Sequence, residues 1–407
     1  MHANSPSYDE ATARFNDHVV NVCSLRGEPP DCRPAESPAL ALRCRRRLAP
    51  PAALLWTSAV ATAASVVPTP ALAHIKWFAP YDVTKPPLPV HGVLTQHFLL
   101  VFTAFTLLMA ASFIADRLAA KRAWTLTASG ANEALEELLV RSGTGAFFMA
   151  LFAAGGIILT PELHTNDGWV AWLQLGIAAS MLSMRTCIVG SLGILVLYAY
   201  GISQYGVFHL SDYPVFLGLT AYLALTSFPP GRLRSYRMAI LYAALCVCLM
   251  WGAVEKWAYP QWTLPLLAAR PYLTFGFDAP DFMVIAGFVE FAFAFYMLTG
   301  LGLLRLAILG LSTIFIAAVF DFGKVDAIGH LPILTAMAAM LVHGPTQLHV
   351  WLHDKADTAF RLGRTAGGAF VMTVFLFLAV YYGVQHAEYG RNPQDRIAAS
   401  VPSGHRL

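Results

Sequence analysis

A chain of 407 residues that is 57% hydrophobic and only 13% charged carries about half the charged fraction of a soluble domain. The formal charge of +3, from 27 basic and 24 acidic side chains, provides no strongly basic surface and so no nucleic-acid partner. Six cysteines without a CxxC pair exclude a disulfide framework and a thiol-exchange motif.

Residues 1–50 are polar and contain prolines, and read as a disordered extension or a mis-assigned start. Arg43 and Arg45 to Arg47 then precede an apolar stretch from Pro51 to Val67 and the triplet Ala71-Leu72-Ala73. A basic region, a short apolar region and an A-x-A triplet predict a signal peptide spanning residues 51–73; the alternative is an uncleaved first transmembrane helix. Cleavage after Ala73 makes His74 the new amino terminus.

Ten apolar runs follow, at residues 94–115, 143–161, 169–184, 187–203, 214–230, 238–256, 281–300, 303–320, 331–350 and 367–386. Most approach the length that crosses a bilayer as a helix. The expected fold class is therefore all-α, a polytopic integral membrane protein in contact with the lipid bilayer. Arg117, Lys121, Arg122 and Arg141, then Arg185, then Arg232, Arg234 and Arg237, then Arg305, then Lys355, Arg361 and Arg364 occupy alternate connections. Basic loops stay cytoplasmic, which places both ends of the mature chain on the periplasmic face of a bacterial inner membrane.

The runs repeat. Gln174 to Ser183 reads QLGIAASMLS and Glu290 to Thr299 reads EFAFAFYMLT, so that Ala178, Met181 and Leu182 return as Ala294, Met297 and Leu298. Arg185 and Gly190 return as Arg305 and Gly310, and Tyr213-Pro214 as Leu331-Pro332, all at offsets between 116 and 120 residues. A near-constant offset predicts an internal duplication: two four-helix bundles, residues 143–230 and 238–350. An even number of spans per copy makes them parallel. Residues 74–142 and 351–407 flank them with one span each. The copies differ where chemistry can reside, Gln174 becoming Glu290 and Leu159-Thr160 becoming Glu255-Lys256.

Charges at membrane depth are costly and face a partner, a cavity or water. In the second copy Glu255 and Lys256 end the first helix, Glu290 sits in the second, Asp321 ends the third, and Asp326 and His330 open the fourth. These six are the candidate ligand or proton pocket, with Asp326 and His330 as a carboxylate–imidazole pair. The plainer alternative is an ion pair of Glu255 or Glu290 with Lys256 that only holds the bundle together. Aromatic residues between Trp251 and Phe277, on a proline-rich loop, suit an interfacial belt or a lid. A second candidate is a copper site at His74, whose amine and imidazole would be joined by His91, His97 or His164. On the cytoplasmic side His349 and His353, at i and i+4, read as a solvated face rather than a metal site.

Residues 238–345 resemble the DoxX-like four-helix membrane domain. The matching marks are a first helix ending in Glu255-Lys256 before Pro260, a second helix from Gly287 to Thr299 with an internal glutamate, Arg305 on the short inner turn, and Asp321 closing the third helix before the stretch from Phe322 to Pro332. Residues 143–230 share it only through the duplication, with His209 and Asp212 in place of Asp326 and His330. The resemblance implies an accessory component of a redox or stress-response system. Its pocket would face the periplasm and take a quinone or small solute, with an oxidoreductase as partner subunit. If the chain is itself an enzyme, it is a quinone-linked oxidoreductase subunit. The alternatives are a small-solute or ion transporter using Glu290 and a copper-binding protein using His74.

Overall fold

The computed structural model describes residues 75–78, 81–121 and 132–390. The extension 1–50, the signal-peptide segment 51–73, His74 and the tail 391–407 lie outside the described residues. The described chain is all-helical, with a single isolated backbone bridge between Ile157 and His164.

Among the described residues ten helices have 13 residues or more, in order: α1 Gln96–Lys121, α2 Glu133–Ala154, α3 Gly168–Ser180, α4 Cys187–Tyr205, α5 Pro214–Thr226, α6 Arg237–Ala258, α7 Ala279–Thr299, α8 Leu304–Phe322, α9 Lys324–His343 and α10 Ala359–Tyr389. All but α3 and α5 are long and apolar enough to cross a membrane, which gives eight candidate spans among the described residues. This is the architecture of a polytopic membrane protein. The other two have 13 residues each, and a helix of that length rises only about 20 Å. They fall short of a bilayer core of about 30 Å.

Three helices begin earlier than the apolar runs alone suggest. Asn132 caps α2 by accepting from Leu135 N at 3.1 Å, and its first turns carry Glu133, Glu136 and Glu137. Thr358 caps α10 by accepting from Arg361 N at 3.1 Å. The α8–α9 link is the single residue Gly323, whose φ of 80° is open to glycine without strain; α9 thus starts at Lys324.

The two sets of four helices pack across one another. Helices α2 to α5 form one set and α6 to α9 the other, but the fourth helix of each packs on the first of its counterpart, α5 on α6 and α9 on α2. Both contacts are more extensive than those between first and fourth helices of the same set. The sets interlock with each other, and α6 is the most enclosed of the candidate spans. The flanking helices α1 and α10 pack on each other, and α1 also leans on α7. A seam of rings from Phe98, Trp257, Phe288, Phe291 and Phe370 fills this region. Between helices in lipid, packing of this kind replaces the hydrophobic drive available in water.

Polar groups tie the interlock at one end. Glu136 of α2 lies 2.6 Å from His343 of α9, 2.7 Å from the hydroxyl of Tyr222 on α5 and 3.2 Å from Arg237 at the start of α6. One buried carboxylate therefore joins the four central helices. Nearby, Asp116 of α1 accepts from Leu301 N at 3.0 Å and Leu303 N at 2.6 Å, and lies 3.1 Å from His353. His349 completes this end, 3.0 Å from the Met297 carbonyl. Burial lowers its imidazole to about 4. His349 and His353 are both buried, so the solvated face expected for them is corrected.

Candidate functional site

A cavity of about 250 Å³ opens at the other end, among α5 to α9. Five of the six candidate pocket residues line it: Glu255, Lys256, Glu290, Asp326 and His330. Asp321 does not. Its carbonyl accepts from Arg270 at 2.8 Å and its carboxylate lies 3.3 Å from the Tyr272 hydroxyl, so it anchors the connection after α6 outside the cavity.

Each ionisable group is placed by helical geometry. Consecutive helical residues point about 100° apart, so Glu255 and Lys256 turn to different neighbours. Lys256 Nζ lies 2.5 Å from Glu290 Oε2 on α7 and 3.4 Å from its own Gly252 carbonyl. This pair remains partly open, its side chains 23% and 16% exposed. Glu255 instead pairs with Lys76, which also binds Asp212 of the turn before α5. On α9, one turn separates Asp326 and His330, and Asp326 Oδ2 lies 2.9 Å from His330 Nδ1. A carboxylate in that position favours the tautomer that carries its proton on Nδ1. The imidazole is flanked by Phe315 and Trp77, with ring centroids 4.7 Å and 5.1 Å away. Gly329 lets Trp77 approach, because a Cβ there would overlap the indole.

Lys76 is a buried cation beside the cavity that no local motif announces. It belongs to the short helix Ile75–Phe78 and its ammonium sits 2.5 Å from Glu255, against Asp212, with the rings of Trp262 and Tyr81 centred 5.3 Å and 5.9 Å away. Burial acts to lower the pKa of this ammonium, but the carboxylates of Asp212 and Glu255 outweigh it and raise it above the ordinary lysine value. One ammonium cannot neutralise two buried carboxylates. Burial accordingly pushes the Asp212 carboxyl up to about 8, against the pull of Lys76 and with Glu255 adding to the rise. In the first set, His209 and Asp212 do not reproduce the Asp326–His330 pair. His209 lies 3.9 Å from Glu162 and 3.4 Å from the Tyr81 hydroxyl, and burial lowers its imidazole pKa. Gln174, the counterpart of Glu290, donates to the Ile157 and Ile158 carbonyls at 2.6 Å and 3.0 Å, a structural role.

The histidines suggested for copper are dispersed in role. His91 is exposed on the short helix Val90–Val93, His97 lies 3.6 Å from Asp281, and exposed His164 sits at the isolated bridge, its carbonyl accepting from Tyr205 at 2.8 Å. Among the described residues no group of three His, Cys, Asp or Glu side chains is placed to hold a metal ion.

A quinone head group needs aromatic walls and polar groups that meet its oxygens. Tyr259, Trp262 and Phe315 supply walls; Lys256 and His330 line the same space. Thr160 adds a hydroxyl that is buried without a hydrogen-bond partner among the described residues, and it too lines the cavity. Ligand pockets commonly enclose about 300–1,000 Å³, so this cavity suits a head group or small solute. No family model matches the chain, and no curated protein or solved structure matches it either.

Proposed function

We propose that the chain is an inner-membrane protein of the DoxX-like kind, an accessory component of a redox or stress-response system whose cavity takes a quinone head group or a small polar solute from the periplasmic side. The observation that carries this reading is the meeting of the Lys256–Glu290 ion pair and the Asp326–His330 hydrogen bond at one cavity. The opposite end is tied shut around Glu136, so access from one side only fits a binding role better than a through-path. A bound quinone supplies two-electron, two-proton chemistry. The chain's part is to orient the head group with Lys256 and Thr160, and to hold or release a proton at His330 under the control of Asp326. An oxidoreductase partner supplies the electrons in this reading.

The interlocked sets weigh against the transporter alternative. Rocking one set against the other would have to slide α5 on α6 and α9 on α2 together. The test is quinone extraction from protein purified out of its own membrane. Wild-type protein is expected to retain quinone in near-stoichiometric amount, while Glu290→Gln and His330→Gln each retain at least tenfold less. Equal, negligible quinone in all three preparations contradicts the quinone reading.

A further inference from the structure

The contacts of Lys76 exceed what a tether requires. A single carboxyl group suffices to hold an ammonium, whereas here there are two, Asp212 on the turn before α5 and Glu255 on α6. Two aromatic faces, Trp262 and Tyr81, close the remaining sides at 5.3 Å and 5.9 Å, the arrangement that favours a cation through ring quadrupoles. Lys76 is only 3% exposed, and burying an ammonium is costly unless its environment compensates fully. Three members of this box, Asp212, Glu255 and Trp262, also line the cavity. The cage around the ammonium is therefore continuous with a space of about 250 Å³. Thr160, buried and without a hydrogen-bond partner among the described residues, lines that same space and supplies a further polar group for a ligand extending from the cage.

We propose that Asp212, Glu255, Trp262 and Tyr81 form a binding site for a small primary alkylammonium ligand, a site that the chain's own Lys76 fills in this structure. The ligand's ammonium replaces that of Lys76 and its alkyl body enters the cavity. Tethering gives Lys76 a high effective concentration, commonly millimolar or above for short links. An external amine therefore competes only when the Ile75–Phe78 segment withdraws. The cage around the ammonium does not depend on the quinone reading, which rests on Lys256, Glu290, Asp326 and His330, although both ligands would share the cavity and Thr160.

The test uses n-butylammonium and the full chain in detergent. Lys76→Ala is expected to bind one n-butylammonium at least tenfold more tightly than the wild type, with a rise in Tm that n-butanol does not reproduce. Adding Asp212→Asn and Glu255→Gln to that variant is expected to remove the binding. Binding no tighter than the wild type, or binding unchanged after the two carboxylates are neutralised, overturns the proposal. If Lys76→Ala does not fold, the readout is hydrogen exchange of amides 75–78 in the wild type. Molar n-butylammonium is expected to accelerate that exchange several-fold relative to equal n-butanol or sodium chloride, and unchanged exchange overturns the proposal. Quinone content, measured separately, is expected to survive in Lys76→Ala, so either reading can fail without the other.

Discussion

Lys256 Nζ and Glu290 Oε2 lie 2.5 Å apart with part of each side chain facing the cavity. Removing one partner strands the other, and a hydrogen bond to a charged group contributes about 1.5–3 kcal/mol; solvent screening of this partly open pair places the loss at the low end. Glu290→Gln is thus expected to lower stability by about 1–2 kcal/mol, while Lys256→Met combined with Glu290→Leu recovers most of it, since no charge is left unpaired. Thermal unfolding in detergent distinguishes the two. Asp212 supplies a pH dependence of definite sign. Its folded pKa, pushed up to about 8 by burial, stands above the ordinary carboxyl value of 3.8, so the folded state binds this proton more tightly. Stability from this group is full below about pH 4 and is lost as pH rises through 8. The carboxylates of Glu255 and Glu162 and the ammonium of Lys76 face the same group. Tm is expected to fall between pH 6 and pH 9, and Asp212→Asn is expected to flatten that fall. A wild-type Tm that climbs over this range contradicts the assignment.

At the scale of the element, Glu136 binds α2 to α5, α6 and α9 at once. Truncating one partner of a buried charge network costs about 3–5 kcal/mol, so Glu136→Ala is expected to lower Tm far more than Glu290→Gln does. Gly329→Ala tests the other end. The new methyl meets the Trp77 indole and is expected to displace the Ile75–Phe78 helix, seen as faster amide exchange at those residues. The central apolar parts of all ten helices were legible in the sequence, because apolar runs at bilayer length leave few alternatives. The starts of α2, α9 and α10 were not. Glu133, Glu136 and Glu137, Lys324 and Asp326, and Arg361 and Arg364 look like loop charges until their three-dimensional partners are known. The candidate pocket was legible for the residues that helical ends bring together, Glu255, Lys256, Glu290, Asp326 and His330. Asp321 was misplaced because proximity along the chain does not reveal the side of α8 on which it falls. Lys76 carried no signal at all, since its partners Asp212 and Glu255 lie in distant segments.

For the molecule as a whole, the two sets of four helices exchange partners at α5–α6 and α2–α9. The Glu136 cluster ties one end of this arrangement and the cavity lies at the other. Where the second set carries Glu290 the first carries Gln174, bonded to the Ile157 and Ile158 carbonyls, while Thr160 and Asp212 of the first set line the same cavity. The central claim, that the cavity is a ligand site governed by Lys256, Glu290, Asp326 and His330, is tested most directly by native mass spectrometry of the protein released from its own membrane. One quinone or small polar solute per chain is expected in the wild type, and that mass is expected to vanish in a folded Glu290→Gln/His330→Gln protein. A wild-type chain that emerges without a bound molecule, or a bound mass that the double substitution leaves unchanged, contradicts the account.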